Sequence, residues 1–344
     1  MNNILFAIPH HNDSKKLWRC VDSIKKHTRA EGIIIIDDNS SDEEYELIKN
    51  ISDNNERITI NRNNENRGPA YCRNLCIEYG IKNNFEYISF VDADDYLVGR
   101  IESCNLDNED IVFYDSAEIL EHKDTDDFSI LKILKHNKFK YKILQEEMAN
   151  YALRPNQFNS LTSCWSKIFK LKNLKINNIR FNEKMRTFED VDFLIRYLSI
   201  VKNYKIYPTV AYHHTNNLNY HSATFGLNDN FNSLFGYLQV SRNVSIYFRK
   251  KNYNFNKFHF ISCYFSITLI RIAFKIKNFR DFLFFYKFLK KRINSKIIQK
   301  AFNQYDVNKA NGRKLIKLLI KYRFTLLLTI CVTIIGKKRY KVKV

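Results

Sequence analysis

Three short apolar runs near the start of this chain each end in a polar cluster. NILFAIP runs into HHND, GIIII into DDNS, and YISFV into DADD. Between them lie segments of helical spacing. DSKKLWRCVDSIKKH puts Leu17, Cys20, Val21 and Ile24 on one face, and SSDEEYELIKNI opens with Ser40 three residues before Glu43, the pattern of a capping box. GPAYCRNLCIEYG has Pro69 at a start position and Gly80 at a stop position, and RITINRN reads as a further strand. Continuous β-branched runs are strands covered on both faces, and strands that alternate with helices build a largely parallel sheet. Ligands bind beyond the carboxyl ends of such strands. The three polar clusters therefore converge on one rim.

Asp92, Asp94 and Asp95 repel one another unless they spread into solvent or share a cation. Carboxylates at a strand end suit an oxygen-preferring divalent ion such as Mg²⁺ or Mn²⁺. A calcium loop of the EF-hand type is excluded, because its sixth position from Asp92 is Leu97 and its twelfth is Ser103, where glycine and glutamate are needed. Neither GxGxxG nor GxxxxGK[ST] occurs among the eight glycines, so glycine-cradled phosphate is excluded as well. The seven cysteines form no CxxC pair and no zinc-spaced cluster, and MNNILFAIPH has no basic lead before its short apolar run. A reduced, cytoplasmic location is expected.

Taken in order, IPHHND, IIIIDDNSSD, NRGPAYCRNLCIEYG, YISFVDADDYL, CWSKIFK and RTFEDVDFLIRYL resemble the large inverting family 2 glycosyltransferases across roughly residues 3–200. The resemblance implies a type A nucleotide-sugar transferase fold, a Rossmann-like mixed sheet with helices on both faces. It also implies a nucleotide diphosphate sugar as donor, UDP being the common nucleotide, and Mg²⁺ or Mn²⁺ as cofactor. Carried over by position, Pro9, His11 and Asn12 flank the nucleobase, with His11 where many members place a stacking tyrosine. Asp38 matches the acid that bonds the base, and Asp37 precedes it. Arg73 and Asn74 match an RN pair facing the donor phosphates or sugar. Asp92 and Asp94 match the DxD pair that binds ribose and metal, with Asp95 beside them. Asp190 matches the base that deprotonates the acceptor hydroxyl, supported by Glu189, and Trp165 matches an aromatic residue lining the acceptor sugar. His213, His214 and His221 fall where members bring a loop over the donor. Read singly, each feature also has an ordinary structural account: a strand-to-turn junction for Asp37 and Asp38, a solvated turn for DADD, a helix-end charge after Thr187 for Asp190, and core packing for Trp165.

Charge divides the chain. Residues 1–229 carry 30 Lys and Arg against 34 Asp and Glu, whereas residues 230–344 carry 26 against 2. The basic part reads as amphipathic helices. One stripe holds Phe279, Phe282, Leu283, Tyr286 and Leu289; in the next helix Lys314, Lys317 and Lys321 oppose Leu315, Leu318, Leu319 and Tyr322. The apolar run 324–336 has 13 residues, fewer than the roughly 20 that a spanning helix needs. Such helices fit an anionic membrane surface, and the other accounts are a packed helical domain or a homodimer contact. Nucleic-acid binding is disfavoured, because the cations are interleaved with large aliphatics that need burial and no nucleic-acid module is present. A catalytically silent transferase fold acting as a partner module is the remaining rival. The expected organisation is a nucleotide-sugar-binding part over 1–115, an acceptor-binding part over 116–228 and a basic helical region over 229–344. The expected activity adds a hexose or N-acetylhexosamine to a bacterial capsule, lipo-oligosaccharide or other surface glycan, at the inner face of the cell membrane.

Overall fold

A computed structural model of the chain describes residues 3–28, 31–52, 56–99, 101, 106, 108–121, 127–135, 163–185, 188–215, parts of 238–249, 257–274, 276–304 and 314–341. It contains two compact units, residues 1–145 with 158–217 and residues 146–157 with 218–344.

The first unit begins with β1 (Ile4–His10), α1 (Ser14–His27), β2 (Gly32–Asp37), α2 (Asp42–Lys49), β3 (Ile58–Arg62), α3 (Pro69–Lys82) and β4 (Tyr87–Phe90). Strands β1 to β4 pair in parallel, in the order β3-β2-β1-β4. Burial on both faces explains their unbroken apolar runs: every residue of β2 is buried. Ile4, Phe6 and Ile8 of β1 join Leu17, Val21 and Ile24 of α1 in one core, while the opposite face of β1 presents Leu5 to α3.

Beyond β4 the sheet becomes mixed in strand direction. Strands β5 (Tyr96–Leu97), β6 (Ile111–Glu121), β7 (Phe128–Leu134), β8 (Lys167–Lys170) and β9 (Tyr204–Thr215), with helices α4 (Leu171–Ile176) and α5 (Glu189–Leu198), complete the unit. β8 runs antiparallel between β4 and β6, β9 lies parallel to β6, and β5 and β7 pair antiparallel with β9 and β6. The carboxyl ends of β1, β2, β4, β6 and β9 and the start of β8 consequently share one rim.

Two sequence expectations shift here. The cap of α2 is Ser41, whose hydroxyl accepts from the backbone N–H of Glu44, because Ser40 is drawn instead to Asp37. Gly80 does not end α3, which continues to Lys82; a Cβ at Gly80 would stand 2.9 Å from a Leu171 methyl and 3.1 Å from a Leu5 methyl, so glycine there permits close packing.

The second unit comprises α6 (Lys257–Phe274), α7 (Phe279–Ile293), α8 (Lys296–Asn303), α9 (Lys314–Lys321) and α10 (Thr325–Lys341) among the described residues. α10 packs on α6, α7 and α9, and α8 packs on α6 and α9. The expected stripes are only partly buried. α7 buries Phe285, Leu289 and Ile293 and leaves Phe279 and Leu283 exposed, while α9 buries Ile316, Leu319 and Ile320 and leaves Leu315, Leu318 and Tyr322 exposed. In these helices the apolar arc is wider than the face that the neighbours cover, so the neighbours select which part of it is buried. No helix among the described residues is long and apolar enough to cross a membrane.

Gly99 separates a local from a tertiary requirement. A Cβ there would lie 2.8 Å from the Val210 carbonyl oxygen and 3.2 Å from the Ala211 Cα, which are backbone atoms of β9. Gly99→Ala is expected to cost about 1–3 kcal/mol through overpacking. Gly80→Ala should cost less, because roughly 1 kcal/mol of helix propensity offsets contacts with movable leucine methyls. Urea denaturation of both variants measures the difference.

Candidate active site

At the rim, β1 and β2 are joined through their last residues. The His10 imidazole lies 2.9 Å from Asp37, and its Nε2 accepts from the Asp13 backbone N–H, which places the proton on Nδ1 to donate to Asp37. Burial raises the Asp37 carboxyl, but hydrogen bonds from His10 and Ser40 outweigh it and hold the group below the usual carboxylate range. Asn12, in a left-handed conformation (φ 50°), donates its backbone N–H to Ser40 Oγ and accepts from the Ser41 N–H. Asp38 takes the N–H groups of Arg67 (3.0 Å) and Gly68 (2.6 Å) and the Asn63 amide (2.9 Å), which fixes the loop that leads into α3.

Arg73 then projects from the first half of α3 into a cluster of acids. Its guanidinium donates to Asp92 at 2.8 Å, to Asp190 at 2.8 Å and to Glu189 at 3.4 Å, and its side chain is 5% exposed. Glu189 and Asp190 open α5, after Phe188 in a left-handed conformation (φ 66°) that no side chain caps. A bulky residue rarely adopts that backbone. It turns the chain so that the two acids meet Arg73, and Asp190 also accepts from the Cys164 N–H. Burial dominates their titration, pushing both carboxyls above the ordinary range, while Arg73 opposes it.

The three acids of DADD go to different places. Asp92 pairs with Arg73. Asp94 is pushed up to about 7 by burial and by the neighbouring Asp95 and Asp92. Asp95 is fully buried and takes the Tyr212 hydroxyl (2.6 Å), the His214 Nδ1 (3.1 Å) and the Thr215 N–H (2.7 Å), so it pins the end of β9 to the rim. Burial pulls His214 down, but Asp95 overrides it and the imidazole is raised to about 9. The Trp165 ring stacks on Tyr212 and His214, both at 5.1 Å. Just beyond it, the fully buried Lys167 ammonium donates to the carbonyls of Ser163 and Trp165, and burial lowers it to about 7.

The site residues read from the sequence thus fall on one rim, in unequal surroundings. Arg73, Asp92, Glu189 and Asp190 form a single cluster. Pro9, His11, Asn12 and Asp38 line the ends of β1 and β2. Asn74 departs from expectation: its amide is taken up by Phe181 and Glu183, which closes α3 on the strand-free segment before α5. Trp165 is 5% exposed and packs more than it lines. His213 and His214 point to opposite sides of β9, His213 toward Tyr96 and Phe128, as strand alternation requires. His221 and Thr187 lie outside the described residues. Sequence reasoning missed His10, Tyr212 and Lys167; their signal is position, one or two residues from assigned groups at strand ends.

Comparison with known proteins bears on the fold that carries this arrangement. Residues 6–100 match the model for Glycosyl transferase family 2. This stretch is similar to a family 2 glycosyltransferase domain. The chain is 26% identical over 211 residues to the teichoic acid poly(glycerol phosphate) polymerase of Staphylococcus epidermidis, covering 59% of this chain and 27% of that protein. It is 25% identical over 219 residues to the succinoglycan biosynthesis protein ExoU of Rhizobium meliloti, covering 61% of each. The chain therefore spans about a quarter of the first relative and three fifths of the second. The chain is also similar to the crystal structure of S. aureus TarS 1–349 in complex with UDP, with a TM-score of 0.58 and 14% identity over 99% of this chain and 92% of that one. The fold is the type A transferase fold with a helical C-terminal region.

Removing Arg73 would leave three carboxylates facing one another. Arg73→Met is expected to cost about 3 kcal/mol at neutral pH. Asp190 and Glu189 titrate above their unfolded values, so protonating them favours the folded state. The deficit against wild type should accordingly shrink as pH falls through the raised carboxyl values, which paired thermal melts between pH 7.5 and pH 5 would show. A deficit constant over that range rules out the electrostatic account.

Proposed function

We propose that the chain is an inverting, metal-dependent glycosyltransferase that moves a hexose or N-acetylhexosamine from a nucleoside diphosphate donor, UDP by preference, to a glycan or glycolipid acceptor of the bacterial surface, at the inner face of the cell membrane. The observation that carries this reading is Arg73, which joins the DxD acid Asp92 to the acids of α5. A leaving-group site and a base site must lie this close for in-line displacement at one carbon. UDP in the structurally similar TarS supports the choice of nucleotide.

In this reading residues 1–115 hold the donor, with Pro9, His11, Asn12 and Asp38 at the nucleobase and Asp37 as their buried support. Residues 116–228 face the acceptor. Asp190 accepts the proton of the acceptor hydroxyl as its oxygen attacks the anomeric carbon, opposite the departing diphosphate, and Glu189 and Arg73 hold Asp190 in place. Among the described residues no three His, Cys, Asp or Glu side chains converge as metal ligands, but the donor set suits Mg²⁺ or Mn²⁺. Asp92 and Asp94 are hard oxygen ligands, and a divalent ion would relieve the repulsion that raises Asp94. Bound there with the donor phosphates, the ion would neutralise charge on the leaving diphosphate. Asp95, already saturated, serves by holding His214 beside them.

Asp190→Asn is expected to lower kcat by about 10²–10⁴-fold while preserving the rise in melting temperature that UDP and Mn²⁺ produce together. Asp94→Asn should abolish the Mn²⁺-dependent part of that rise. In wild type the ascending limb of kcat/KM against pH should lie above the ordinary carboxylate range, because Asp190 must lose its proton to act and burial holds that proton on. Wild-type turnover in Asp190→Asn would remove it as the base.

A further inference from the structure

The second unit leaves an apolar edge uncovered. Leu315 and Leu318 of α9 and Tyr322 just after it are 54%, 47% and 57% exposed, although Ile316, Leu319 and Ile320 of that helix are buried. On α10, Leu326, Leu327, Ile330 and Ile334 are 40–55% exposed at helical spacing, while Leu328, Thr329 and Val332 are buried on the opposite side. A helix apolar around its whole circumference needs cover on every side. α6, α7 and α9 supply it on one side only. Contiguous exposed apolar surface of this kind marks an interaction site.

Charge selects the occupant. Residues 314–341 contain eight Lys or Arg and no Asp or Glu, with Lys314, Lys321 and Arg323 directly beside the exposed leucines. In a twofold dimer each edge would meet its own copy, setting like charges against like. An anionic bilayer supplies hydrocarbon for the leucines and, in the adjacent headgroup layer, phosphate for the cations. The apolar run 324–336 is about 20 Å long as a helix, short of the roughly 30 Å hydrocarbon core. It can lie in the interface without spanning.

We propose that the α9–α10 edge inserts into the headgroup and acyl boundary of an anionic membrane, with Leu318, Tyr322, Leu326, Leu327 and Ile330 in the hydrocarbon and Lys314, Lys321 and Arg323 among the headgroups. This names the surface behind the membrane location proposed above and is independent of the chemistry assigned to the transferase domain.

The test is flotation of the full chain with phosphatidylglycerol-containing vesicles and with phosphatidylcholine vesicles. Wild type should bind the anionic vesicles, and bind more weakly as salt increases. Leu326→Asp with Ile330→Asp should weaken that binding about 10- to 100-fold without altering the melting temperature or its response to UDP and Mn²⁺, since both side chains are open. Tyr322→Trp should add blue-shifted emission on anionic vesicles alone, a readout that survives if the aspartate variant folds poorly. Equal binding to both vesicle types, equal binding by the aspartate variant, or an unshifted Tyr322→Trp emission overturns the proposal. A dimer in solution that the aspartate variant dissociates reassigns the edge to a second copy. A bound vesicle without a nucleotide response would instead leave the edge intact and refute the donor site.

Discussion

One buried cation organises the rim. Arg73 lies within hydrogen-bonding distance of Asp92, Glu189 and Asp190, which arrive from β4, from the first turn of α5 and from a bend at Phe188. Withdrawing a guanidinium from water costs several kcal/mol, repaid only when good geometry and several partners surround it. Here one positive charge meets three negative ones, so the cluster is held together and remains acid-rich. The raised carboxyls of α5 follow first from burial and then from that imbalance. They sit in low dielectric beside one another, and Arg73 offsets only part of the repulsion.

The DADD turn shows how one short motif divides its labour. The Asp95 N–H bonds back to the Asp92 carbonyl, a tight turn that sends successive side chains in different directions. Asp92 faces α3, Asp94 stays half-buried beside like charge, and Asp95 reaches the end of β9. β9 is thereby anchored at Tyr212, His214 and Thr215, and Trp165 stacks over the first two. A residue that looks like a third metal ligand in the sequence turns out to have both oxygens occupied by protein donors.

The parallel half of the sheet was legible because each strand is buried on both faces and each crossover helix carries its own start signals, as β2 and the Pro69 start of α3 illustrate. The antiparallel half was not, since β6, β8 and β9 mix lysine, tyrosine and serine with aliphatics, and their pairing depends on partners far along the chain. Local signals also misplace detail wherever tertiary contacts compete with them. Ser40 carries a capping pattern yet bonds Asp37, leaving the cap to Ser41. Gly80 resembles a stop yet packs against Leu5 and Leu171. In α7 and α9 the apolar residues are too numerous for periodicity to name a face. At the site, ordered motifs located Arg73, Asp92 and Asp190, but nothing local distinguishes Asn74, one residue from Arg73, whose amide is spent on Phe181 and Glu183.

The same charge balance constrains any ligand of the rim. A diphosphate cannot approach Asp92, Asp94, Glu189 and Asp190 through their combined field unless positive charge stands between. Arg73 is already committed to three of these acids. His214 is another cation of the rim, held protonated well above its ordinary range by Asp95 and stacked on Trp165 where the carboxylates of the DADD turn still act on it, and Arg19 and Lys16 stand near Asp94. In the metal-dependent reading proposed above, an anionic ligand brings a compensating cation with it to this acid-rich rim. Its binding should therefore be cooperative with the ion's, each providing the charge that makes room for the other.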